Sequence, residues 1–460
     1  MMADKSTLTS LHYWGLSVLS LAVFLVAGDF TAFSPALPAI AANFSSNFTS
    51  VHWVINAYSL TYGVIIVTGG RLADVYGRRR LFIFGVIVFA LSSLVGGLAQ
   101  DLWVLLLCRA LMGFAGALIW SAILGMAYNL LPPERAGLAG GLILAALGLS
   151  TSLGPILGGF FSEYLTWRWV LFVNIPLAFI IIFLCCRKYP ADEVVRIEED
   201  VDYLGALLLS VSLFCFLLAM EVLAQKHAFG LFSTLLLCSS MLFLVGFGCR
   251  EISKGSAALI PVELIKDASF LSIVFSVLLV ATAFFAVLVY IPLLFIKVHK
   301  YSALMAGVAL LPMMVSSSIF SFVSGLIHEK CGARLLICSG ALGMSVGLYW
   351  LSVLNESTSY VFFIPGLALV GASLGVYSPA AVTAAVALVD PSKSSLAGGI
   401  VYMFRFLGGA LALGFNAIIL AYYDDIAEGV YRIFEVDAFI TFLGFLLPLY
   451  FLKGVDARFS

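Results

Sequence analysis

Two kinds of charged residue in this sequence stand where they could do chemistry. Asp29, Arg109 and Arg405 each interrupt an apolar run long enough to cross a bilayer, and the eleven residues Gly70–Arg80 gather Arg71, Asp74, Arg78, Arg79 and Arg80 between two such runs. A carboxylate within a span costs about 2.5–3.5 kcal/mol on insertion scales, so Asp29 needs a partner or a task. One task is protonation: a carboxyl group shielded from water can take up and release a proton as its access to water changes. The structural alternative is a carboxylate bonded to backbone groups where Pro35 and Pro38 disturb the helix. Arg109 is the natural counter-charge, because a guanidinium in a span cannot lose its proton and must find a carboxylate, carbonyls or water. Arg405, set between Phe404 and Phe406, has the same need and could meet it through a substrate or through structure.

The elements that position these residues follow from composition. With 62% hydrophobic residues, 11% charged residues and a mean hydropathy of +1.11, 460 residues cannot cover a soluble globule with polar surface. The chain therefore reads as an all-α polytopic membrane protein. The net charge of -1 gives no sign of nucleic-acid binding. Eight cysteines show no metal-ligand spacing, and neither a metal nor a cofactor is expected. Cutting at polar clusters gives helices near 13–40, 52–70, 80–99, 103–131, 137–164 and 168–187, then 203–223 and 230–249, then 269–297, 302–327, 334–353, 360–388, 394–423 and 437–452. The run from Tyr13 is too long for a signal-peptide core and reads as a retained first helix. These are two sets of six with an inserted pair, fourteen in all. The expected domains are 1–187, a 188–267 linker carrying the extra pair, and 268–460.

Charge placement tests that count. With both termini inside, seventeen Lys and Arg residues fall on the cytoplasmic side, five outside, and Arg109 and Arg405 within the membrane. Short loops that stay inside are enriched in Lys and Arg, and a single missed helix would invert every later loop and spoil the asymmetry. A faint repeat is also present: Gly325–Arg334 holds, in the second set of six, the place of Gly70–Arg80 in the first.

Gly70-Arg-Leu-Ala-Asp-Val-Tyr-Gly-Arg-Arg-Arg80 resembles the loop signature of the major facilitator superfamily. Arg109-Ala-Leu-Met-Gly113 resembles its second motif, with Met112 where a Gln is common. Gly148-Leu-Ser-Thr-Ser-Leu-Gly154-Pro155-Ile-Leu-Gly158-Gly159 resembles the motif that marks drug:proton antiporters. Asp29-Phe-Thr31, Trp167-Arg-Trp169, Asn174-Ile-Pro176 and Asp202-Tyr-Leu-Gly205 are similar to the fourteen-helix branch.

The resemblance implies a secondary transporter of two six-helix bundles plus an inserted pair, working by alternating access in a bacterial inner membrane as a monomer. Its expected partners are protons, a small-molecule substrate and the lipid bilayer. It assigns proton coupling to Asp29 and Arg109, and a cytoplasmic latch to Gly70, Asp74, Gly77 and Arg78 closing on the start of helix 13. It also implies a moving, glycine-lined helix 5. The residues support that last role separately, since Gly154 and Gly158 make a small face for close approach and Pro155 bends the helix. Asn56, Tyr58, Trp120, Tyr290, Tyr377, Phe404, Arg405 and Asn416 are the expected substrate-cavity residues. The expected activity is proton-coupled export of a small amphipathic or drug-like compound. The alternatives are export of an endogenous metabolite or siderophore-like molecule, and uptake by symport. A membrane enzyme would need clustered His, Asp or Glu, and the five histidines are scattered.

Overall fold

The structure is a computed structural model, and it describes residues 10–46, 48–131, 135–189, 202–226, 230–254, 260, 264, 266–301 and 303–452. Lys5, Arg196, Lys453 and Arg458, on which the placement of the termini and of one loop partly rests, lie outside the described residues, as does much of the expected 188–267 linker. Among the described residues every long element is an α-helix. In chain order they are α1 (Ser10–Phe44), α2 (Phe48–Tyr76), α3 (Arg78–Gly97), α4 (Leu102–Leu130), α5 (Ala136–Tyr164) and α6, in two segments (Trp169–Phe172 and Asn174–Lys188). Then come α7 (Tyr203–Lys226), α8 (Leu231–Lys254), α9 (Ala268–Lys297) and α10, also in two segments (Ala303–Val308 and Leu311–Cys331). The last four are α11 (Ala333–Ser352), α12 (Tyr360–Ala387), α13 (Ser394–Tyr422) and α14 (Ile426–Phe451). Among the described residues, thirteen of these fourteen are long and apolar enough to cross a membrane.

Two helix boundaries differ most from the sequence reading. The apolar run was expected to end at residue 70 and a polar turn to follow, but α2 continues to Tyr76, so that Gly77 alone forms the turn. Arg71 and Asp74 are both buried, so their charges face protein and do not end the helix. Likewise α14 begins at Ile426, not at residue 437. Asp425 caps it by accepting from Ala427 N at 3.0 Å, and Glu428, Arg432 and Glu435 lie on one exposed stripe. Residues at these spacings share a helix face, so a polar stripe there is compatible with a helix whose opposite side is apolar.

The chain divides into two compact units, Met1–Glu198 with Asp390–Gly399, and Glu199–Val389 with Ile400–Ser460. Each repeats one packing plan. In the first, α2 packs on α4, α3 on α4 and α6, and α1 on α5 and α6; in the second, α10 packs on α12, α11 on α12 and α14, and α9 on α14. Glycines bring the backbones together in both. A methyl at Gly158 of α5 would collide with the Ala32 carbonyl of α1, and one at Gly408 of α13 with the Leu278 carbonyl of α9. The inserted hairpin α7–α8 joins the second unit, where Ala219, Met220 and Leu223 pack with Leu236, Leu237, Ala410 and Leu411. Ser212 Oγ donates to the Ser240 carbonyl across the hairpin at 2.9 Å.

Candidate functional site

The first unit holds a closed polar cluster in an apolar interior. Asp29 on α1 and Arg109 on α4 are both buried, and Arg109 Nη1 donates to Asp29 Oδ2 at 2.5 Å. The second carboxylate oxygen, Oδ1, accepts from Asn174 Nδ2 at 2.8 Å, and the same amide reaches Ser93 Oγ at 3.0 Å. Ser93 in turn donates to the Leu171 carbonyl at 2.8 Å. Arg109 Nε donates to the Val54 carbonyl at 3.0 Å, and its guanidinium lies 4.0 Å from the Phe33 ring centroid and 4.5 Å from that of Tyr58. Four helices thus converge on one ion pair. Such a pair is costly to desolvate; both oxygens of Asp29 are met, while Arg109 Nη2 is buried without a hydrogen-bond partner, and removing either residue strands the other.

Asn174 is the member that sequence reasoning missed as a site residue. It stands at the break in α6, where the short segment ends at Phe172 and Asn174 opens the next one with Pro176 in its first turn. A proline fits there because first-turn N–H groups have no helical acceptor. Val173 between the segments keeps helical dihedral angles (φ -63°, ψ -25°), and that the Asn174 amide faces Asp29 is a tertiary contact that no spacing along the chain reveals.

The arginine-rich signature makes a second cluster, within the same unit. Asp74 Oδ1 accepts from Arg78 Nε at 2.8 Å and from Ser395 N at 3.3 Å, and Asp74 Oδ2 accepts from Leu396 N at 2.9 Å. Asp74 thereby caps the first turn of α13, where unpaired N–H groups and the positive end of the helix dipole favour a carboxylate. Arg78 continues to the carbonyls of Pro391 (2.8 Å), Ser392 (3.2 Å) and Gly125 (3.3 Å). Gly70 lets α13 approach, since a methyl there would stand 2.6 Å from the Ser395 carbonyl oxygen. Gly77 has φ 101°, a conformation that favours glycine. Arg79 caps another helix, donating to the Cys185 and Cys186 carbonyls at the end of α6.

The remaining expected residues are distributed between the units. Gly154 and Gly158 of α5 face α1, where a methyl on Gly154 would strike the Thr31 hydroxyl. Gly148 accepts from Thr151 and Ser152, while Pro155 and Gly159 are half-buried. Asn56, Tyr58 and Trp120 are buried in the first unit, and Tyr58 donates to the Val26 carbonyl beside Arg109. In the second unit, Tyr377 and Arg405 line a cavity of about 20 Å³ with Phe284, Val401 and Tyr402. The Arg405 guanidinium lies 5.0 Å from the Phe284 ring centroid. Phe404 stacks edge-on against Phe275 rather than lining that cavity. Tyr377 shares a hydrogen bond of 2.8 Å with Ser276. Asn416 is elsewhere, donating to Asp437 Oδ2 at 2.7 Å.

Fourteen helices among the described residues, thirteen of them long and apolar enough to cross a membrane, in two like-built units with a buried ion pair and a capped signature turn, define a multi-pass membrane transporter. The family model of the Major Facilitator Superfamily matches residues 19–413 and 273–458, and the chain belongs to that superfamily. It is 32% identical, over 411 residues, to a puromycin resistance protein of Streptomyces alboniger, spanning 87% of this chain and 80% of that protein. It is 27% identical, over 413 residues, to a tetracenomycin C resistance and export protein of Streptomyces glaucescens (88% and 75%). Among solved structures, the human organic anion transporter MFSD10 superposes with a TM-score of 0.69 at 14% identity, covering 95% of this chain and 99% of that one, a likeness of fold. Family and relatives are transporters, not enzymes.

Proposed function

We propose that this transporter exports a small amphipathic compound against inward proton flow, by alternating access, with Asp29 as the coupling carboxylate. The observation that carries the reading is the buried Asp29–Arg109 pair, tied on its other side to Asn174. Protonating Asp29 removes the charge that holds Arg109, leaving a guanidinium over Phe33 and Tyr58 with the Val54 carbonyl and the Met112 sulfur as its acceptors. That change releases α4 from α1 and gives a proton a means of acting on helix packing. The Gly154 and Gly158 contacts of α5 with α1 are the surface on which that movement would occur.

The capped turn at Asp74 and Arg78 acts as the cytoplasmic latch, and opening that side requires its four backbone bonds at residues 391–396 to break. Export is favoured by relatives named for resistance and export. The cargo's apolar part would meet rings such as Phe284, Tyr377 and Tyr402, and an acceptor group on it would meet Arg405. A cavity of about 20 Å³ admits one water, so this pocket must widen to take a drug-sized compound. The protein is read as a monomer in a bacterial inner membrane with both termini cytoplasmic.

The test uses everted membrane vesicles energised by respiration. With Asp29→Asn, compound-induced proton release and uphill accumulation of puromycin or another amphipathic test drug are expected to vanish, while the protein stays in the membrane. Undiminished pH-driven transport by that variant would overturn the assignment.

A further inference from the structure

The second unit contains a buried carboxylate that the coupling scheme above does not use. Asp437 lies on α14, eleven residues after Ile426, about 16 Å into the helix at 1.5 Å per residue. It is 1% exposed. Every element packed around it presents neutral groups. From α13, Asn416 Nδ2 donates to Oδ2 at 2.7 Å. From α9, the Thr282 hydroxyl lies beside it, and the Tyr290 phenol is within reach of its charge. From α11, Ser345 gives its hydrogen to the adjacent Ala438 carbonyl at 2.8 Å. On α14 itself Thr441 follows one turn later, while Arg432 and Glu435 pair with each other on the exposed face. Among the described residues no Lys, Arg or His forms an ion pair with Asp437, and no charged side chain figures among the groups acting on it.

Its other oxygen, Oδ1, is buried without a hydrogen-bond partner, as is the Thr441 hydroxyl. Thr282 donates to the Leu279 carbonyl at 2.8 Å, so its oxygen is left to accept rather than to donate. An ionised carboxylate here would have the Asn416 amide as donor, the Thr282 hydroxyl only if that hydroxyl gives up the Leu279 carbonyl, and no counter-charge. A carboxylic acid would have the same amide and a hydrogen of its own to give to a hydroxyl oxygen.

We propose that Asp437 is a second proton-binding site, holding a proton on Oδ1 as a carboxylic acid while the second unit excludes water, and releasing it when water reaches α14. The binding step is the addition of one proton to one carboxylate, and its reversal returns the proton to water. It adds to the role given to Asp29 and does not rest on it, since the proton can be followed at equilibrium with no transported compound.

The experiment uses the full chain in lipid vesicles. Carbodiimides react with protonated carboxyl groups in apolar surroundings, so dicyclohexylcarbodiimide labelling is read across pH by mass spectrometry of the peptide containing Asp437. Infrared difference spectra follow the carboxylic-acid carbonyl band. The expected result is an adduct at Asp437 that fades as pH rises, little at ion-paired Asp29, and an acid band lost in Asp437→Asn but kept in Asp29→Asn. Asn416→Leu, which removes the amide donor to the ionised form, is expected to extend labelling upward by about one pH unit. That variant and the wild-type labelling carry the test if Asp437→Asn does not fold. No adduct at Asp437 at any pH, or an acid band unchanged in Asp437→Asn, overturns the proposal. Loss of transport in Asp29→Asn with labelling of Asp437 intact would leave both readings standing, and their failures appear in different measurements.

Discussion

Asp29 in the first unit and Asp437 in the second are both buried in membrane-length helices, yet they are housed in opposite ways. Asp29 has a guanidinium on one oxygen and an amide on the other, so its ionised form is fully met. Asp437 has an amide on one oxygen and no partner on the other. The turns between equivalent helices show the same pattern of shared frame and divergent chemistry. Gly77 joins α2 to α3 and Gly332 joins α10 to α11, both at positive φ (101° and 75°). Two residues beyond each glycine an arginine caps a neighbouring helix: Arg79 on the end of α6, and Arg334 on the Leu449 carbonyl of α14 at 2.6 Å. But where the first turn has Asp74 and Arg78, the second has Glu329, which is exposed, and Ala333. The repeat preserves what holds helices together, while the ionic groups are set in each unit separately.

The largest effect that would sharpen this contrast is expected from cutting each carboxylate from its partner. Arg109→Ala leaves Asp29 in the interior with one amide donor and no counter-charge, so that it must either stay charged or take up a proton, and is expected to destabilise by about 3–5 kcal/mol. Asn416→Ala removes a single neutral hydrogen bond from Asp437, at about 1 kcal/mol. Thermal unfolding of the purified variants in detergent checks the ordering. Equal losses would mean that the two acids are held alike and would break the comparison. Adding Asp29→Asn to Arg109→Ala is expected to restore much of the stability without restoring transport, because the stranded carboxyl group is gone.

The next effect separates frame from gate. Gly77→Ala and Gly332→Ala each force a side chain into a positive-φ turn and are expected to cost a similar 1–3 kcal/mol. Only Gly77 adjoins the Asp74–Arg78 cluster, so only its variant is expected to lose transport rate beyond what its reduced amount in the membrane explains. Transport normalised to the amount of folded protein distinguishes the two. A parallel loss in Gly332→Ala would show that the turn itself, and not its charge cluster, limits the cycle.

How much of this could be read beforehand follows from what each residue needs. Asp29, Arg109, Asp74 and Arg78 were legible because a charge in or beside an apolar run is costly wherever it lies, so the run alone marks it. Helix number and the repeat were legible for a related reason, since apolar length and arginine placement are local quantities. Asn174 was visible only as part of a motif, because its partner Asp29 lies on a helix far away in the chain. Asp437 was missed because Glu428, Arg432 and Glu435 cut the apolar run late. Their spacing holds the missing signal: the three share one helix face, and Asp437, nine residues after Glu428, falls on the opposite, apolar side. Asn416 was found by its amide in a span, but its partner was not, since a hydrogen bond between α13 and α14 leaves no trace in spacing.

The smallest expected effect comes from an ion pair at the water boundary, and it sets a lower bound for the comparison. Asp202, just before α7, accepts from Arg250 Nε at 2.8 Å and caps the helix through Gly205 N at 3.1 Å. Burial opposes its ionised form, but the Arg250 hydrogen bond, the Gly205 N–H and the charges of Arg250 and Lys254 outweigh it and hold the carboxyl below its usual range. Because its folded value is depressed, the stabilisation is present above about pH 4, the ordinary aspartate value, and is lost as pH falls through the folded value. Unfolding temperature measured from pH 6 downward is expected to fall more steeply in the wild type than in Asp202→Asn, by on the order of 1 °C, because the variant has no such carboxylate to protonate. Parallel curves would show that the hairpin is held by its apolar contacts with α13 alone. A difference as large as that between Arg109→Ala and the wild type would mean that water screens this pair no better than the interior does, and the distinction between buried and boundary charges in this fold would fail.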